Sequence, residues 1–156
     1  MPAANPGYQV DARTVEGGVS VVTGKSAPPL SVDTSVGQSE DRFGPAELLA
    51  ASLAACLLKN LTRLAAKMHL RYDRATVHVS AFREESPPRV SRLEYVLRIR
   101  TEESPDRIER LAELLRRYST VYNTLSRACV IDGSVAVEFP GNDAAGALAM
   151  ERGRAP

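Results

Sequence analysis

Between Leu48 and Leu58 the only polar residue is Ser52, and the stretch opens on Gly44-Pro45. Glycine suits a helix N-cap, and proline suits the first helical position, where its missing N–H costs nothing. Glu47 falls in the first turn, where the helix dipole favours a carboxylate. The pattern predicts a helix over 45–68 that is apolar on every side and therefore buried on every side. Polarity returns at Lys59, Asn60, Thr62 and Arg63, and His69 to Arg74 end the helix.

Before this helix, residues 8–34 are rich in Val and Thr and are broken by Gly17-Gly18 and Pro28-Pro29, which predicts three short strands. After it, "RATVHVSAFREE" and "VSRLEYVLRIRT" alternate apolar and polar around a proline turn. They predict an antiparallel hairpin with Leu93, Tyr95, Leu97 and Ile99 facing inward. Ser104-Pro105 starts a second helix, with Ile108, Leu111, Leu114, Leu115 and Tyr118 on one stripe. Asp106/Arg110 and Glu113/Arg117 are spaced as i,i+4 pairs on its wet side. "STVYNTLSRA" predicts a short third helix and "CVIDGSVAVEF" a last strand. Residues 1–139 then form one α+β domain, with a tail from Pro140 to the end. A domain this small rarely encloses a helix completely, so a second copy of the chain is expected to cover part of residues 48–58.

Composition narrows the function. The chain has 20 Lys+Arg against 19 Asp+Glu and no Trp. It offers neither a basic surface nor stacking platforms for nucleic acid. Two cysteines make no disulfide framework. The first residues show no secretory signal, and the longest apolar run is too short for a bilayer. A cytoplasmic protein with reduced thiols is expected. The two histidines, His69 and His78, lack companion ligands, so neither a metal nor a cofactor is expected.

Cys56 supports two readings. Ala54, Ala55, Leu57 and Leu58 surround it, and a thiol in such company packs as a small inert apolar group. Yet Lys59, Asn60 and Arg63 follow at i+3, i+4 and i+7 on the same side, and cations there favour a thiolate. Glu47, nine residues earlier, falls on roughly the opposite side of the helix.

"GPAELLAASLAAC", the "VHVSAFREESPPRVSRLEYVLRI" hairpin and "RYSTVYNTL" together resemble the OsmC/Ohr family, from about Tyr8 to Phe139. The resemblance implies an intertwined homodimer in which two antiparallel sheets wrap two central helices. It also implies reduction of organic hydroperoxides, with Cys56 as the peroxide-attacking cysteine. The family's resolving cysteine falls at Ser119, its helix-opening glutamate at Ala46 with Glu47 next, and its early-turn arginine near Arg13. Cys129 is the other thiol, in a position suited to packing. Tyr118, Tyr122 and Asn123 match the family's second active segment, where they, with Ser119, would line a substrate pocket or else pack and cap. Two functions follow. One is a single-cysteine peroxidase in which Lys59 or Arg63 stabilises the Cys56 thiolate and an external thiol completes the cycle. The other is a binder of a small apolar or acyl ligand on the same dimeric scaffold.

Overall fold

The computed structural model describes residues 7–37 and 41–140. The tail expected after Pro140 lies outside them. Two compact units divide the chain at Leu49/Ala50.

In the first unit, β1 (Val10–Thr14), β2 (Val19–Gly24) and β3 (Leu30–Asp33) form an antiparallel sheet in that order. The β1–β2 turn needs Gly17 and Gly18, whose φ angles are +64° and +76°. A side chain on Gly18 would also strike Ser35. Arg13 lies exposed on β1, opposite Val21.

Helix α1 (Pro45–Met68) begins and ends where the sequence indicates. The Gly44 carbonyl accepts the Leu48 N–H at 3.0 Å, and the Gly44 N–H donates to Glu47 Oε2 at 2.7 Å. This is the glutamate half of a capping box. At the other end His69 takes a left-handed φ of +51°. Its N–H reaches the Ala66 carbonyl, and the Leu70 N–H reaches that of Ala65, a Schellman closure. The Arg107 guanidinium donates to the Met68 carbonyl at 2.7 Å and so tethers this end to the second helix.

In the second unit the hairpin pairs β4 (Arg74–Glu85) with β5 (Pro88–Arg100), as the alternation indicates. Helices α2 (Pro105–Tyr118) and α3 (Thr120–Leu125) follow, then β6 (Val130–Glu138). The sheet order is β4-β5-β6. The expectation of two antiparallel sheets is corrected here, because β6 runs parallel to β5, with Arg92 opposite Val130 and Arg100 opposite Glu138. A two-residue turn reverses the chain between β4 and β5. The path through α2 and α3 instead returns it to the starting end of β5.

The core of this unit joins Leu53, Leu57, Leu61 and Leu64 of α1 to Leu93, Tyr95, Leu97 and Ile99 of β5 and to Ile108, Leu111 and Leu115 of α2. One copy of the chain does not by itself supply the all-round burial expected of residues 48–58, part of which is assigned to a second copy. Within one chain only Leu53 and Leu57 of that stretch are buried, and Ala51 and Ala55 are exposed. By length and composition α1 would suffice to cross a membrane, although its 11-residue apolar run alone would not. A third of its most apolar window is buried inside the protein.

Two further expectations change on α2. Tyr118, placed by spacing on the buried stripe, is 48% exposed. Neither i,i+4 pair forms, since Arg110 binds Glu113 at 2.8 Å instead. An open groove of about 650 Å³ runs between α2 and β6 over Ile108, Val135 and Val137, and no predicted site residue lines it.

Candidate functional site

Cys56 sits just before the polar half of α1, which begins at Lys59. The helix turns about 100° per residue, so Asn60 and Arg63 follow Cys56 along one face. The structure links all three. Asn60 Nδ2 donates to the Cys56 carbonyl at 2.9 Å and approaches Cys56 Sγ at 3.5 Å. The Arg63 guanidinium donates to Asn60 Oδ1 at 2.7 Å. Asn60 is 7% exposed, so both ends of its amide are committed in a largely buried place. One side chain thus bridges the Arg63 guanidinium and the Cys56 sulfur. Cys56 itself is half-buried.

Arg63 also faces α2, its Cζ 5.8 Å from the Tyr118 ring centroid. From the other helix, Arg117 Cζ lies 5.5 Å from the same centroid. Such contacts contribute about 0.5–1 kcal/mol at exposed positions. Lys59 is exposed and forms no ion pair or hydrogen bond with the described residues. Glu47 remains at the helix start on the Gly44 amide.

Ser119, which stands where a resolving thiol would, is 0% exposed. It links α2 to α3: its N–H donates to the Leu115 carbonyl, and its own carbonyl accepts the Asn123 N–H. Its hydroxyl is buried without a partner among the described residues, and it has no surface with which to line a pocket. Asn123 Nδ2 donates to the Arg117 carbonyl at 3.0 Å, which caps the end of α2. Tyr122 is half-buried, its ring edge-on to Tyr95 at 6.5 Å. Burial pushes the Tyr95 phenol up, Tyr122 adds to this, and the positive charge of Arg116 opposes it.

Cys129 follows α3, and its thiol donates to the Leu125 carbonyl at 3.4 Å. Burial pushes this thiol up as well. Both cysteines are free. No cluster of three His, Cys, Asp or Glu among the described residues could hold a metal.

Sequence spacing brought Asn60 and Arg63 to the Cys56 side but assigned the influence to charge alone. The amide between them was the missing part.

Residues 37–133, more than half of the chain, match the model of the OsmC-like protein family. No curated protein gives a significant sequence match. An OsmC-like protein from Mycoplasma pneumoniae is 17% identical at a TM-score of 0.77, with 85% of this chain and 98% of that one covered. The organic hydroperoxide resistance protein OhrB of Bacillus subtilis is 18% identical at 0.59, covering 84% and 97%. An organic hydroperoxide resistance protein OsmC from Legionella pneumophila, described as a predicted redox protein, is 17% identical at 0.65, covering 85% and 100%. At such identities the likeness concerns the fold. The family match and the shared α+β architecture of two sheets and three helices agree, and the chain belongs to the OsmC-like protein family.

Proposed function

We propose that this protein reduces organic hydroperoxides through Cys56, in solution within a reducing compartment. The observation that carries this reading is the hydrogen-bonded line from Arg63 through Asn60 to the Cys56 sulfur. Cys56 Sγ attacks the peroxide oxygen farther from carbon. An S–O bond forms and the O–O bond breaks. The alkoxide leaves and takes a proton to become an alcohol, and Cys56 becomes a sulfenic acid. The Asn60 amide, polarised by Arg63, supports the charge gathered on sulfur before attack.

With Ser119 at the resolving position and Cys129 bound to the Leu125 carbonyl, the cycle relies on an external thiol. A first thiol displaces water from the sulfenic acid to give a mixed disulfide. A second releases Cys56 and leaves as the small disulfide. The test is a single turnover. One equivalent of cumene hydroperoxide is expected to be consumed, with a dimedone-trapped sulfenic acid found on Cys56 by peptide mass spectrometry. An unmodified Cys56 and intact peroxide would end this reading in favour of a small-ligand binder.

The assembly we propose is a homodimer. The exposed Ala51 and Ala55 face of α1 supports it, because small side chains allow close approach of another helix. Sedimentation should give twice the chain mass at micromolar concentration, and a monomer there would exclude it.

A further inference from the structure

Some arginines bind an acid, while others, Arg71, Arg98 and Arg127 among them, have no ion pair among the described residues. Arg83, Arg89, Arg92, Arg107 and Arg110 each bind a glutamate. Arg63 and Arg117 do not, and neither has a carboxylate partner among the described residues. Arg110 takes the glutamate that the spacing offered to Arg117. The two guanidinium groups instead share Tyr118, which is half exposed. The end of the α2 dipole accounts for an arginine at 117. It does not account for Arg63, which reaches across from another helix while also holding Asn60 beside the Cys56 sulfur.

We propose that Arg63 and Arg117, set against Tyr118, form a carboxylate-binding subsite that docks the small acidic thiol resolving Cys56. The inference rests on the peroxidase reading for the thiol's purpose, and its chemistry follows from what surrounds Cys56. Serine rather than cysteine stands at the resolving position, Ser119, so on that reading the resolving sulfur comes from outside and needs something to hold it. Guanidinium groups bind carboxylates through paired N–H donors, with direction as well as charge. A thiol anchored there displaces water from the Cys56 sulfenic acid, forming the S–S bond. A second equivalent then attacks that disulfide, and the reducing electrons come from the two thiols.

The experiment needs no peroxide, so it separates this inference from the peroxidase reading. Native protein is treated with dithiodipropionate, hydroxyethyl disulfide or cystamine, which are anionic, neutral and cationic. Adduct formation on Cys56 is timed by peptide mass spectrometry. The anionic disulfide is expected to react roughly tenfold faster than the neutral one, and the cationic one slowest. The advantage should shrink in about 0.5 M salt. In Arg117→Gln the anionic-to-neutral ratio should fall toward one, whereas Arg110→Gln, whose arginine serves Glu113, should retain it. A ratio at or below one in the native protein, or one unchanged by Arg117→Gln, overturns the subsite. Absence of any adduct on Cys56 does the same.

Discussion

Asn60→Leu is expected to slow the reaction of Cys56 with an organic hydroperoxide by about ten- to a hundredfold, and Cys56→Ser to abolish it. Leucine keeps the branched heavy-atom outline of asparagine, although its two methyl groups are bulkier than the amide. What goes is the Nδ2 donor at Cys56 Sγ and the acceptor for Arg63. A hydrogen bond to a charged group contributes about 1.5–3 kcal/mol, which gives that range of rates. Asn60→Asp separates positioning from shape. It retains an oxygen for Arg63 but replaces the N–H near sulfur with a second carboxylate oxygen, so its rate should be at least as low. Single-turnover peroxide consumption measured across pH, beside thermal unfolding of each variant, checks both. Aspartate and leucine variants that react at the native rate would remove Asn60 from the mechanism.

Gly133→Ala should destabilise the protein by about 3 kcal/mol, the upper range for an overpacked core. Gly133 lies opposite Tyr95 in the β5–β6 register. An added Cβ would stand 1.9 Å from Tyr95 Cε1 and 2.0 Å from Cζ. The ring has little freedom to retreat, since it is 3% exposed and meets Tyr122 edge-on. Urea unfolding should show a lower midpoint at an unchanged slope. Combining Gly133→Ala with Tyr95→Leu should recover much of the loss, because the clash requires the ring. A single-variant change under about 0.5 kcal/mol, the ordinary scatter of surface substitutions, would contradict this account.

Much of the fold was legible because strong local chemistry wrote it. Gly44-Pro45 and Glu47 mark where α1 starts, and the alternation from Leu93 to Ile99 names the buried face of β5. The direction of β6 was not legible, because a period of two says which face is buried and nothing about which way the strand runs. Spacing offered Arg110 and Arg117 one carboxylate each, but side-chain reach decided otherwise, and Glu113 went to Arg110. The stripe that put Tyr118 inside ignored that α2 ends there and that two guanidinium groups flank its ring. In the candidate site, Cys56 and Arg63 were visible from charge and spacing. The role of Asn60 needed coordinates, since a neutral amide leaves no electrostatic trace in a sequence.

The parallel crossover has a consequence for how the chain is made. β4 and β5 can pair as soon as Arg100 has been synthesised, but the strand that flanks β5 on its other side ends only at Glu138. Until then the backbone donors and acceptors along that margin of β5 have no neighbour from their own sheet, and an open margin invites pairing with a stranger. During translation, the interval in which residues 101–138 emerge is when the nascent chain is most exposed to mispairing.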